Sequence, residues 1–168
     1  FCLSRGLGDV YKRQCLEGNR PILVEVQALV AKTPYGMPRR TAVGFDYNRV
    51  TMLLAILERR LGMDFGAYDA YVNVVGGMRV TEPAADLAVA AALVSSYRNR
   101  PIPHGVLVMG EVGLTGEVRR IGSPERRIKD AMNLGFKRFV LPMGKLSLDE
   151  PCNGVVQVKT LSLIHISE

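Results

Sequence analysis

Residues able to do chemistry are sparse in this chain, and their spacing excludes several reactions. A phosphate-gripping loop needs GxxxxGK[ST], in which glycines let backbone N–H groups wrap the phosphates while a lysine reaches the outer ones. No such string occurs, nor does GxGxxG after a strand, so nucleotide hydrolysis by these residues alone is not expected. Cys2, Cys15 and Cys152 form no CxxC pair, and His104 and His165 are the only histidines. Neither a disulfide framework nor a cysteine- or histidine-rich zinc site is therefore expected. Ser95, Ser96 and Ser123 are available as nucleophiles, with Lys129 one turn beyond Glu125. Ser123, just before Pro124, is expected to cap a helix through its side-chain oxygen. Ser95 and Ser96, near a helix end, are expected to face solvent or bond back to the backbone. His104 reads as a surface-loop residue.

Cation chemistry is better represented. Pro38-Arg39-Arg40 stands close in sequence to Tyr47-Asn48-Arg49. Arg39, Arg40 and Arg49 are candidate phosphate contacts, and Tyr35 in the same loop is a candidate for stacking on a base. The competing roles are solubilising charge and a local pair between Arg49 and Asp46. A second basic set, Arg126, Arg127, Lys129, Lys137 and Arg138, is expected to form a solvated helix face or a subunit contact. Arg59-Arg60 at one helix end, and Glu82 and Asp86 at the start of another, suit the helix dipole without any ligand.

These residues must be positioned by a single domain. The 168 residues are 48% hydrophobic and 23% charged, which excludes disordered and fibrous classes. The net charge is +6, a bias toward a polyanionic partner. The longest apolar run, Leu87 to Val94, is eight residues, far below the roughly 20 that a membrane-spanning helix needs. With reduced-looking cysteines and no secretory leader pattern, a cytoplasmic location is expected. Residues 1–14 (FCLSRGLGDVYKRQ) and 161–168 resemble translated library-adapter sequence more than natural protein, and are set aside from the fold. They carry +2 and −1, leaving +5 on residues 15–160.

Within 15–160, strand-like and helix-like blocks alternate. Pro21–Ala31 reads as a half-buried strand, Thr33–Arg40 as a loop, and Thr41–Phe45 as the returning strand of a hairpin. Val50, Leu53, Leu54, Leu57 and Leu61 form a helical stripe that Gly62 is placed to stop. Ala70–Val75 reads as a strand, and Thr81-Glu82-Pro83 opens an alanine-packed helix. Gly105–Val112 reads as a strand, Gly113–Arg120 as a hairpin, and the segment from Ser123 to Gly135 as a third helix. Strands at Arg138–Leu141 and Val155–Thr160 close the chain. The expected fold is α+β, with mixed sheets on one side and about three helices packed on them.

The order strand, VVGG, EPAAD helix, MGEVGLTGEVRRIG, SPERRIKDA helix, RFVLP resembles the proteolytic domain of Lon proteases. That family carries a serine in a GPSAG string and a lysine whose lowered pKa lets it take the serine proton. Matched by motif, the serine position falls on Ala84 and the lysine position on Glu125, so the resemblance implies a lost dyad. LVEVQALV, TPYGMPRRTAVGFDYNRV, LLAILERR, YVNVVGG and EPAADLAVA together resemble the C-terminal Lon-like domain of the RadA (Sms) family of bacterial DNA-repair proteins, across nearly all of 15–160. A Lon-like domain of a ComM-type ATPase and a Ser-Lys peptidase with a relocated dyad are the alternatives. The RadA resemblance implies a hexamer-forming, non-proteolytic domain that contacts DNA, within a protein whose ATPase drives branch migration with the recombinase machinery. It places ATP and Mg in an ATPase domain, and Zn in a zinc finger, both outside this sequence. This chain itself is expected to need no cofactor and no membrane.

Overall fold

A computed structural model describes residues 9–17, 20–149 and 151–162. Its main sheet has seven strands in the order β3-β4-β2-β1-β5-β8-β9. In chain order these are β1 (Asp9–Glu17), β2 (Arg20–Lys32), β3 (Arg40–Val43), β4 (Tyr68–Val74), β5 (Val106–Val108), β8 (Arg138–Pro142) and β9 (Val155–Val158). The pairs β1/β2 and β2/β4 are antiparallel, and the other four are parallel, so the sheet is mixed. A separate antiparallel hairpin is made by β6 (Glu111–Val112) and β7 (Val118–Arg119). Three helices complete the fold: α1 (Tyr47–Leu61), α2 (Asp86–Arg98) and α3 (Pro124–Asn133). The α+β expectation holds.

Residues 9–14, set aside in the sequence reading, lie in β1, whose register runs Asp9 opposite Ala28 to Glu17 opposite Arg20. Of the tail set aside, Leu161 is buried in the core and donates its N–H to the Gly116 carbonyl at 3.0 Å, while residues 1–8 and 163–168 lie outside the described residues. A second difference concerns β3. It was expected to return alongside β2, but β4 pairs with β2, and β3 lies parallel to β4 on its outer side, Thr41 opposite Tyr71. The longer β4 offers β2 seven residues of pairing from Val74 to Tyr68, and the four-residue β3 is left as an edge strand.

α1 forms where the apolar stripe predicts. The Asp46 carboxylate accepts from the Arg49 backbone N–H at 2.8 Å, and Gly62, at φ 65°, closes the other end by donating to the Glu58 carbonyl at 3.0 Å. α2 is buried almost continuously from Asp86 to Ser95. Its alanines let it lie close across β2 and β1 beside α1. The helices do not all share one face. Along β5 and β8, Val108 and Val140 join the cluster under α1 and α2, while Leu107, Met109, Phe139 and Leu141 pack with Ile128 and Ala131 of α3. Alternation of side chains across a strand makes that division.

Candidate functional site

The turn that opens α2 is the most constrained polar feature among the described residues. Pro83–Ala85 forms a single 3-10 turn, and Ala84 is buried there with only a methyl group to offer. The turn is stitched to the strand segment beyond β5: Gly110 N–H donates to the Ala84 carbonyl at 2.9 Å, and Leu87 N–H donates to the Gly110 carbonyl at 3.0 Å. A Cβ at Gly110 would stand 2.9 Å from Val118 Cγ1 and 3.1 Å from Leu87 Cδ2, so this close approach requires glycine.

Two arginines grip the turn from either side. Asp86 is fully buried, and its carboxylate accepts from Arg49 Nε at 2.9 Å, from Arg49 Nη2, and from the Val112 N–H at 3.1 Å. Arg49 Nη2 also donates to the Val112 carbonyl at 3.3 Å. The hydrogen bond to Asp86 raises the Arg49 pKa above its already high ordinary value, against the opposing effect of burial. On the other side, Arg127 of α3 is 1% exposed. It donates through Nε to the Gly122 carbonyl at 2.9 Å and through Nη2 to Glu82 Oε1. One arginine thus joins α1 to the start of α2, and the other joins α3 to the residue just before the turn.

This arrangement changes several sequence expectations. Arg127, expected on a solvated face or subunit contact, is instead an interior ion-pair partner. Arg49 does not pair with the Asp46 carboxylate through its side chain; Asp46 receives its backbone N–H, and its guanidinium goes to Asp86. Glu125, the other position that the Lon resemblance singles out, is half-buried and accepts from the Ser147 N–H at 3.4 Å. It lines a cavity of about 200 Å³ with Arg120, Lys145 and Gln157.

Two of the three serines are occupied by structural roles. Ser96 Oγ, far from any chain neighbour, accepts from the Val30 N–H of β2 at 2.9 Å. Ser95 is buried and donates to the Arg100 carbonyl. Ser123 precedes α3 in the left-handed region at φ 51° and makes no side-chain cap bond, so its expected capping role is not realised. Its backbone carbonyl instead accepts from Arg127 N–H at 3.2 Å. Lys129 lies 3.9 Å from Asp149.

The remaining candidates sit around the loop between β2 and β3. Tyr35 is 94% exposed and Arg39 is exposed. Arg40 differs: its guanidinium donates to the carbonyls of Tyr68 and, at 2.7 Å, Phe65, so it anchors the edge strand β3 to the segment before β4. Arg39 and Tyr35 therefore form the outward-facing part of the cluster, while Arg40 and Arg49 have their donors turned to the protein. Sequence proximity could not make that distinction, because the acceptors lie 25 to 63 residues away.

Asp69, not singled out from the sequence, holds the base of this loop. Its Oδ1 accepts from the Arg39 N–H at 2.8 Å and from Thr33 Oγ1 at 2.9 Å. The Arg39 N–H chiefly, with help from Thr33, Tyr71 and the Arg39 charge, holds the Asp69 carboxyl below its ordinary pKa although burial opposes this. A depressed carboxylate pKa means the anchor is intact above the usual range and is lost only as acid titrates it.

A second depressed carboxylate shapes the β6–β7 hairpin. Glu117 is lowered to about 2, first by the Thr115 hydroxyl, then by its own backbone N–H and by Arg119. Its oxygens also accept from Arg119 Nε at 3.0 Å and Nη2 at 2.7 Å. The contribution of Glu117 is therefore fully present above about pH 4.5 and disappears as pH falls toward 2. In acid titrations followed by circular dichroism, Glu117→Gln is expected to flatten the loss of stability across that window while leaving the slope at neutral pH unchanged.

Among the described residues, no three histidine, cysteine, aspartate or glutamate side chains gather as a metal site. No helix there is long and apolar enough to cross a membrane. Comparison with known proteins adds a family. Residues 26–145 match the family model described as subunit ChlI of Mg-chelatase. The chain is also similar to proteins named DNA repair protein RadA. It is 48% identical to that of Halalkalibacterium halodurans over 90% of this chain and 32% of the relative. The RadA of Bacillus subtilis is 50% identical over 78% of this chain and 29% of the relative, and that of Pseudomonas aeruginosa 52% over 80% and 30%. The chain thus spans about a third of the length of these relatives. By the extent of the model match, the chain belongs to the family described as subunit ChlI of Mg-chelatase, and its relatives here carry the name of a DNA repair protein.

Proposed function

We propose that this chain is a non-proteolytic, Lon-like scaffold domain of a RadA-type DNA-repair ATPase, supporting hexamer assembly and DNA binding during branch migration. The observation that carries the reading is the turn Glu82–Asp86. Where a Lon-type peptidase would present its serine, this chain has a buried methyl group between two carboxylates committed to arginines. A hydroxyl and an amine poised together are what the peptidase reaction needs. Here the corresponding residues are Ala84 and Glu125, and the ion pairs that flank Ala84 join α1 and α3 to the start of α2. The domain therefore acts as a rigid platform, and its chemistry is binding. ATP turnover with Mg and the zinc finger belong to the rest of the parent protein, along with its contacts to the recombinase machinery. A cytoplasmic location follows from that role.

DNA contact falls to the outward cluster at the β2–β3 loop. Arg39 leads it, because its guanidinium faces solvent while its backbone N–H is fixed by Asp69. Neutralising a phosphate releases condensed counterions, so binding should weaken linearly in log salt. Arg39→Ala is expected to weaken binding to duplexes of any sequence and to reduce the salt slope by about 1. Fluorescence anisotropy at several salt concentrations measures both. A slope identical to that of the parent chain would remove Arg39 from the interface. A casein or fluorogenic-peptide assay tests the scaffold claim: no turnover is expected, and turnover abolished by replacing a single serine would overturn it.

A further inference from the structure

We propose that the loop Thr33–Pro38 is a preorganised finger that inserts Tyr35 and Met37 against unpaired bases, so that the domain prefers single-stranded over duplex DNA. This rests on the DNA-binding reading above and names the form of DNA that the site takes.

The loop presents two large apolar side chains to water at its tip, Tyr35 at 94% and Met37 at 88% exposure. Single exposed apolar residues are ordinary on a protein surface. Two of them one residue apart on a loop with a fixed base are not explained by solubility. The base is fixed several times over. Thr33 N–H donates to the Ala67 carbonyl at 3.0 Å, and Ala70 N–H to the Arg39 carbonyl at 2.9 Å. Asp69 ties Thr33 to the Arg39 N–H, bridging the two ends of the loop. Pro34 and Pro38 restrict φ on either side of the tip. Gly36 turns the chain between Tyr35 and Met37 at φ 85°, a conformation that side-chain-bearing residues adopt at a cost. Little conformational freedom is left to lose on binding, which is what a stacking platform requires.

The surroundings select a nucleic acid over an apolar protein partner. Lys32 and Arg39, both exposed, flank the finger, and Asp69, the carboxylate at its base, is buried. An aromatic ring and a flexible thioether beside cations match a base and its phosphate together. Apolar wedges also enter duplexes, but only by unstacking base pairs, whereas an unpaired base stacks without that cost. The finger therefore favours single strands.

The test compares binding of fluorescein-labelled oligothymidine and of a blunt mixed-sequence duplex of equal length, at one low salt concentration, with solution mass followed by light scattering. The parent chain is expected to bind both, the single strand more tightly. Tyr35→Ala is expected to weaken oligothymidine binding about 10-fold, the scale of one stacked base, while changing duplex binding less than about twofold. Tyr35→Phe keeps the ring and is expected to keep the preference. Arg39→Ala should weaken both substrates together. Equal loss on both substrates in Tyr35→Ala, or no loss on either, overturns the finger and leaves the DNA-binding reading standing. A drop in solution mass caused by Tyr35→Ala would assign the loop to contact between copies and also overturn it. Failure of the parent chain to bind either DNA would overturn the finger together with the reading beneath it.

Discussion

Replacing Arg49 with alanine should lower the thermal unfolding midpoint by about 10 °C, from a loss near 3 kcal/mol at ~2–4 °C per kcal/mol for a domain of this size. The cost arises from what is left behind. Asp86 is 1% exposed at its side chain, and removal of the guanidinium strands a buried charge that had received two of its donors. The figure is the lower end of the range for a broken buried pair because the Arg49 side chain is 28% exposed and water partly replaces it. Arg49→Lys keeps the charge but loses the planar fork that serves Asp86 and the Val112 carbonyl together, so an intermediate shift is expected. Circular dichroism melts of the three proteins give the order directly. A shift below about 2 °C for the alanine variant would show that the pair does not hold the turn. The lysine variant also separates stability from binding. With its Nε and Nη2 committed to Asp86, Arg49 is not expected to contact phosphate, and Arg49→Lys should bind DNA as the parent does. A weakened DNA complex in a folded Arg49→Lys would return this residue to the interface.

How much of this was legible in the sequence depends on the distance over which each feature is decided. α1 was readable because everything that makes it is local: the apolar stripe, an aspartate before it and a glycine after it. The alanine run of α2 and the Gly113–Arg120 hairpin were readable for the same reason. The partner of β3 was not, since the choice between β2 and β4 is made by competing strand lengths rather than by adjacency. Strand β1 was hidden by Lys12-Arg13-Gln14, a polar run without clean alternation that is drawn into the sheet by nine residues of pairing with β2. In the candidate site, residue types were legible but their directions were not. Arg40 and Arg49 read as two more cations beside Arg39, yet their acceptors are carbonyls and a carboxylate supplied by other elements. The signal that could have separated them was Asp86: an acid inside an otherwise unbroken apolar stretch from Ala84 to Val94 must be buried, and a buried carboxylate needs a cation.

Arg127 tests the same logic from the interior outward, and more severely. It heads the fully buried side chains by volume, so its truncation removes packing as well as charge. Arg127→Ala should cost about 3–5 kcal/mol, enough to leave a domain of ordinary stability partly unfolded at 37 °C. The more informative variant is Arg127→Met, which keeps most of the length and apolar bulk while deleting the guanidinium. Alone it should still destabilise by about 3 kcal/mol, because Glu82 loses its neutralising partner and the Gly122 carbonyl loses its donor. Combining it with Glu82→Gln removes the stranded charge, and more than half of that loss should return. Urea unfolding of the two single variants and the double variant closes the cycle, and a strongly non-additive result is expected because the residues touch. Simple additivity would mean that Glu82 is already solvated and that Arg127 stabilises through packing alone. Recovery in the double variant would instead show that the ion pair fixes where α3 sits against the turn without adding net stability, the role expected of a buried charge pair retained for specificity.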